Sequence, residues 1–457
     1  MREDNSIQEI LSIAEKFIKH LESLERMIDY SEIIENEYKV KKDNTKSLGE
    51  IADLIIHVKS IQKINEEELE KKDEKYEADR LIHMVEELKS ENDIIRYLYN
   101  NIDVSLVDGG ISVESESSFV MKVIDSYIDE SFNMDSDINQ LLNSIIISLV
   151  TGMELLIADL FKDFIQNVDQ SDFIKSKNLS YSDLVRIGTV EEARIFLIDE
   201  YTEELLKQSF KYWVDEIEKR IKLKIKSIPF LNNDLEKIFE VFQRRHLLIH
   251  NNGVINSLYL SKVHPDLVIG LQKDDQIDID KNYIVQSIDI FRRFGIVLSY
   301  NYAEKKHRDY KDKLFSKFNS LLLTPSNQKC LGSRWIYKKV SNESTYDHES
   351  VLIAKINYFL SFVHRDDFDK VKSEVEAFNV ATLSSEYKMA KYILLEKFDI
   401  ALENFKVYCT TLSDNEIIQT IDWPLIKVAR KAPEFNNFII ERLDLIIRSE
   451  EEDKIEV

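Results

Sequence analysis

The stretch Arg244-Arg245-His246-Leu247-Leu248-Ile249-His250-Asn251-Asn252-Gly253 gathers arginines, histidines and asparagines at what reads as the end of an amphipathic helix. A polar cluster there is costly unless it is hydrogen-bonded or used. An imidazole titrates near neutrality, and a guanidinium holds a phosphate through a planar fork of donors. Phosphodiester cleavage in RNA needs both. His250 is placed to act as general base or acid on the ribose 2′-hydroxyl and the leaving 5′-oxygen, and Arg245 to stabilise charge on the phosphate oxygens. His246 and Asn251 would orient the phosphate or the imidazole, with Arg244 in support. The expected product end is a 2′,3′-cyclic phosphate, and DNA is expected to be inert because it lacks the 2′-hydroxyl.

Spacing limits this chemistry. His246 and His250 are four apart and share a helix face. Arg245 and His250 are five apart, about 140° around an ideal helix. One helix cannot aim both at a single phosphate unless it frays at Asn251 and Asn252, whereas two copies facing across a two-fold axis can build one composite site. The spacing therefore predicts a homodimer. The competing reading is a capping and ion-pair cluster, since cations favour a helix C-terminus.

No phosphate-binding glycine loop, nucleophile elbow or His-Glu-x-x-His motif occurs. The His246/His250 spacing would suit a metal, but no third ligand is identifiable, so neither metal nor cofactor is expected. Lys219, Arg220, Lys222, Lys224 and Lys226 form a basic run upstream of the motif, and Lys305, Lys306, Arg308, Lys311, Lys313 and Lys317 form a second. Both are candidate phosphate-tracking surfaces. They stand out because the formal net charge is -23, so an RNA site must be a local patch whose binding weakens with salt.

The elements around the motif read as helices. With 9 Gly and 5 Pro in 457 residues, turns are too few for a sandwich or barrel, and 44% apolar residues can build real cores. An all-α fold is expected, with one or two short β-hairpins. Residues 1–120 read as a helical region ending in a hairpin, Val104–Val107 and Ile111–Val113 around Asp108-Gly109-Gly110. Residues 121–305 read as a central bundle: a long apolar helix over 135–166, a helix over 191–225 ended by Pro229, and the motif helix capped by Asn232, Asn233 or Asp234. A short hairpin near 268–279 and a closing helix from Tyr283 follow. Residues 306–457 read as helical hairpins after a loop at 324–332, with 387–405 spaced like one tetratricopeptide-type unit. Cys330 and Cys409 fit no metal spacing and read as buried thiols. The N-terminus is not a signal peptide, and the densest apolar stretch, 145–150, is too short to span a bilayer. A soluble cytoplasmic protein with no membrane partner is expected.

Arg245-His246-x-x-x-His250 followed by Asn251-Asn252-Gly253 resembles the Arg-x(4–6)-His motif of HEPN domains. An upstream helix carrying an acid (Ser148 to Glu154) and a closing helix (Tyr283 to Tyr300) are also similar, so the resemblance covers about residues 135–305. The polar residue after the arginine is most often Asn in that family; here it is His246. The resemblance implies a helical bundle that dimerises and often acts as a metal-independent endoribonuclease, widespread in bacterial toxins, abortive-infection and antiviral systems. It implies Arg245 and His250 as the catalytic pair, His246 as the polar neighbour and Glu154 as a weaker correspondence. The chain has no nucleotidyltransferase signature, so a regulatory or antitoxin partner of that kind would be a separate protein. The alternative is a non-catalytic, HEPN-like protein that dimerises and binds RNA, a nucleotide or a protein partner, with the histidines structural.

Overall fold

The structure is a computed structural model that describes residues 2–44, 48–63, 72–107, 110–167 and 178–455. It is all-α apart from one two-stranded antiparallel sheet among the described residues. That sheet is the expected hairpin: Asp103–Val107 pairs with Gly110–Glu114, and Val104 faces Val113. Asp108 and Gly109 of its turn lie outside the described residues.

The chain divides into two compact units, the first formed by Met1–Ser23, Ile147–Asp278 and Asn282–Val457, the second by Leu24–Ile146 and Ile279–Lys281. These units fall elsewhere than at the boundaries expected near 120 and 305. Helix Lys281–Lys306 shows why 305 is no divide. Tyr300 packs its ring 5.4 Å from Phe318, and Asp4 pairs with Lys313 at 2.8 Å and Lys317 at 2.9 Å, so the segment after 306 is held by both the closing helix and the N-terminus.

In the second unit, Ile55, Val58, Val85, Ile95, Leu98, Ile102 and Val104 form one apolar cluster. Asn92 opens helix Asp93–Asn101 by accepting from the Ile94 and Ile95 amides at 2.8 and 3.3 Å, which satisfies donors the helix itself cannot.

In the first unit the long helix Ser118–Asn167 contributes Leu149, Met153, Leu156, Leu160, Phe161 and Phe164, all buried. The stretch Asp137–Gln166 of that helix is long and apolar enough to cross a bilayer, which corrects the expectation drawn from 145–150 alone. More than half of its most apolar 18-residue window is buried inside the protein, as in a core helix. Helix Arg2–Asn44 crosses it closely: His20 Nε2 donates to the Ser148 carbonyl at 2.9 Å, and a Cβ at Gly152 would run into the His20 ring. Phe17 fills the space a side chain would need at Gly295 on the closing helix.

Three local expectations are corrected. The helix expected over 191–225 is broken. Val190–Leu206 stops, Ser209 caps Phe210–Glu216 by accepting from the Tyr212 amide, and a π-turn over Ile217–Ile221 ends at Lys222, whose φ is 55°. The buried Trp213 fixes the break by donating to the Leu205 carbonyl at 2.6 Å. Pro229 does not end a helix but begins Pro229–His250 at its first turn, where a missing N–H costs nothing. Asn232, Asn233 and Asp234 therefore sit inside that helix, and the cap position is Ile228. No hairpin forms near 268–279: a single bridge pairs Val254 with Gln276, and Gly270 and Asp274, with φ of 82° and 74°, interrupt any extended run.

Toward the C-terminus, Leu331–Asn342 packs on His348–Val363 and Ser385–Leu394 on Phe398–Cys409, as helical hairpins around one core that includes Phe359, Met389, Ile393, Phe405 and Phe435. The loop expected at 324–332 contains a short helix, Pro325–Gln328. Cys330 and Cys409 are buried free thiols.

Candidate functional site

Aromatic packing and one buried carboxylate set the orientation of helix Pro229–His250. Phe242 stacks on Phe210 at 5.3 Å and on Phe291 at 6.2 Å, and meets Trp213 edge-on at 5.4 Å. Two residues earlier, the buried Glu240 accepts from the Tyr259 hydroxyl at 2.5 Å, the Tyr283 hydroxyl at 2.6 Å and Arg244 Nε. Arg244 Nη1 donates to the Asp278 carbonyl at 2.6 Å, and its guanidinium lies 3.8 Å from the Tyr283 ring centroid. Burial alone would weaken that guanidinium's hold on its proton, but Tyr283 and Glu240 raise its pKa above the ordinary arginine value. Arg244 is therefore an anchor of the helix, not a free phosphate ligand, which corrects its supporting role in RNA binding.

Arg245 follows about 100° further round the helix. It is half-buried, and its Nε is buried with no hydrogen-bond partner among the described residues. Its charge acts on Glu154, which the long helix brings to it: burial pushes the Glu154 carboxyl up, and Arg245 opposes that shift. A sequence separation of 91 residues hid this electrostatic coupling, although both residues were candidates.

His246 and His250 lie exposed on one face, with ring centroids 4.6 Å apart. Desolvation, then the neighbouring His250, Lys262 and Arg245, push the His246 pKa below its ordinary 6.5. Lys262, at the end of helix Ser257–Lys262, was not among the sequence candidates. Its return depends on the turn after the motif, where Asn252 and Gly253 adopt φ of 48° and 77°. The Gly253 requirement was legible as a helix stop; where the next helix would point was not.

Asn251 also changes role. Its amide N–H donates to the Leu247 carbonyl at 2.8 Å, and its side-chain Nδ2 donates to the Val254 carbonyl, closing the helix end. It shapes the turn rather than orienting a phosphate or imidazole. The helix continues unfrayed to His250, so fraying does not bring Arg245 and His250 to one point.

The upstream basic run lies at the other end of the motif helix, about 30 Å from His250 at 1.5 Å per residue, too far for the same phosphate. Within it, Arg220 pairs with Glu216, Lys219 lies 3.9 Å from Glu216, and Lys226 pairs with Asp215 at 2.6 Å and Glu218 at 3.8 Å. Lys222 and Lys224 are exposed and have no carboxylate partner among the described residues. Among the described residues no group of three or more His, Cys, Asp or Glu side chains is arranged to hold a metal.

One expectation follows directly. His250→Asn removes a like charge beside His246, so the His246 pKa rises toward, but stays below, the ordinary value, because burial still acts on it. Proton NMR titration of the imidazole signals reads this; an unchanged His246 midpoint would refute the coupling. For stability the sign is that of a depressed group. The contribution is present above 6.5, the unfolded value, and is lost as pH falls through the lower folded value.

Comparison with protein-family models, with curated proteins and with solved structures finds no match to this chain.

Proposed function

We propose that the chain is a metal-independent endoribonuclease of the HEPN kind, acting as a homodimer in which two helix ends build one site. The observation that carries this reading is the state of Arg245, His246 and His250. Among the described residues none of the three makes a hydrogen bond or ion pair with another protein group, while Arg244 next door is fully committed. A merely structural arginine would not leave a buried Nε unpaired, as Arg245 does, while the two exposed imidazoles stay open to a ligand. In the proposed reaction His250 takes the proton of the 2′-hydroxyl, the 2′-oxygen bonds to the phosphorus, and the P–O5′ bond breaks as the 5′-oxygen takes that proton from the His250 imidazolium. Arg245 stabilises the charge on the non-bridging oxygens. Glu154, on the long helix, feels the Arg245 charge without bonding to it. Burial, then His250, Lys262 and Arg245, keep the neighbouring His246 neutral to lower pH, so it can orient the phosphate or the His250 imidazole without adding a charge.

Dimerisation follows from the angle between Arg245 and His250 on an unfrayed helix. Leu155 and Ile249, chain neighbours of Glu154 and His250, are exposed at 59% and 44%, which supplies apolar surface beside the cluster. A role as a toxin or defence effector, with a separate partner that restrains it, belongs to the same proposal and rests on the resemblance alone.

The test is incubation of wild type and His250→Ala with total tRNA and mRNA in EDTA, with the cut ends mapped. Cuts ending in 2′,3′-cyclic phosphate with wild type only are expected. Equal cutting by both proteins, or none by either, would end this reading.

A further inference from the structure

The basic run upstream of the motif and the run at 305–311 converge on one cleft. Its walls include Lys222, Lys224, Lys305, Arg308, Lys311 and Trp335, and its volume is about 490 Å³, the size of a small-molecule site. The left-handed turn at Lys222 ends the π-turn and starts the segment that leads to Pro229; closing helix Lys281–Lys306 and the residues just after it form the opposite wall.

The charge balance of this cleft is unusual for a chain of net charge -23. Glu304, a carboxylate on its wall, is already held by Lys339 and by the Tyr346 hydroxyl at 2.6 Å. Lys311 is held by Glu343 and by Thr345 at 2.9 Å. Lys222, Lys224, Lys305 and Arg308 have no carboxylate partner among the described residues. Lys305 spends its ammonium on the Lys222 carbonyl, at 3.1 Å. Burial, then Arg308 and Lys222, lower the Lys305 pKa, as expected where cations face one another without a counterion. Four uncompensated cations around one concavity repel each other unless an anion sits among them. The positive end of the motif helix adds to the same field, since its cap residue, Ile228, offers no side-chain acceptor.

We propose that this cleft binds a small polyphosphate anion, its di- or triphosphate chain held by Lys222, Lys224, Lys305 and Arg308. A triphosphate carries a charge that matches four cations, and a concave pocket suits a compact ligand better than a continuous strand. The same chemistry is presented by a nucleoside triphosphate and by inorganic tripolyphosphate. Trp335, on the wall, offers a flat apolar face that only the nucleotide would use. The cleft is about 30 Å from His250 along the motif helix, and cleavage there is not required for binding here.

The experiment is calorimetric titration of the full chain with ATP, with sodium tripolyphosphate and with an eight-nucleotide single-stranded RNA, at two salt concentrations. Wild type, Arg308→Glu and Lys224→Glu are compared after their melting temperatures are shown to match; both residues are exposed, so the fold is expected to tolerate either change. Micromolar binding of ATP or tripolyphosphate, weakened at least about tenfold by either charge reversal and by added salt, is the expected result. Tighter binding of ATP than of tripolyphosphate, with the difference removed by Trp335→Ala, identifies the nucleotide; equal binding identifies the inorganic chain. Either supports the site. No binding of either anion at 1 mM (about the weakest affinity of interest) would overturn the proposal, as would binding that both charge reversals leave intact. RNA binding tighter than both anions and lost in Arg308→Glu would also overturn it, in favour of an RNA track.

Discussion

Arg245→Met is expected to reduce RNA cleavage in EDTA by about 10²–10³-fold, the usual loss when one positioned donor to a developing oxyanion is removed. The melting temperature should stay at or slightly above that of wild type. Arg245 Nε is buried without a partner, so its removal breaks no internal bond and relieves an unsatisfied donor. Methionine fills much of the volume of the arginine stem. Arg245→Lys should not restore activity, because a lysine has no planar fork. Two results would refute this. Wild-type cleavage by Arg245→Met removes Arg245 from the chemistry, and a large fall in melting temperature makes it a structural residue. Mixing inactive Arg245→Met with inactive His250→Ala distinguishes the dimer. If each site takes Arg245 from one copy and His250 from the other, hybrids regain one intact site, and about a quarter of wild-type activity returns at equal amounts. A site complete within one copy gives no recovery.

The second large effect is on stability. Glu240→Ala should cost roughly 3–5 kcal/mol, because it leaves the buried Arg244 guanidinium without its counter-charge. It also strips two tyrosine hydroxyls, Tyr259 and Tyr283, of their acceptor. At about 2–3 °C per kcal/mol for a large unit, the melting temperature should fall by roughly 6–15 °C. Glu240→Gln keeps an acceptor for the hydroxyls but not the charge, and should lose less. Tyr259→Phe removes one hydrogen bond and should cost about 1 kcal/mol. A Glu240→Ala protein that melted like wild type would show that the network does not hold the helix. Activity should fall too, since Arg245 and His250 ride on the same helix as the anchor.

Much of this was readable in the residues themselves. The apolar stripe at Leu149, Met153, Leu156 and Leu160 has the helical period and is buried as that period requires. Gly253 stops the motif helix because its positive φ is one that glycine adopts freely. Arg245, His246 and His250 were chosen by type and spacing, and the structure leaves them unbonded at a helix end. What was not readable depends on tertiary partners. Arg244 and Arg245 are chemically the same, and only Glu240, Tyr259 and Tyr283, drawn from three segments, decide which is an anchor. Asn251 could cap, turn or bind, and the Val254 carbonyl decides. Pro229 reads equally as a terminator or as a first-turn residue, and the Trp213 bond to Leu205 shifts the break upstream. Lys262 returns to the histidines only through a turn whose direction no local pattern states.

The seating of Phe17 against Gly295 carries a consequence in time. The first helix cannot find its place until the closing helix has been made, nearly three hundred residues later. At about 5–20 residues per second, a ribosome needs roughly 15–60 s to cover that distance. Only the last part of that interval, roughly 2–7 s between His250 and Tyr283, has a complete motif helix without the Tyr283 that anchors it. A chain stopped between His250 and Tyr283 thus carries every residue of the Arg-His cluster but lacks the tyrosine that anchors its helix, so the cell that makes this protein meets the assembled site only once translation has passed the closing helix.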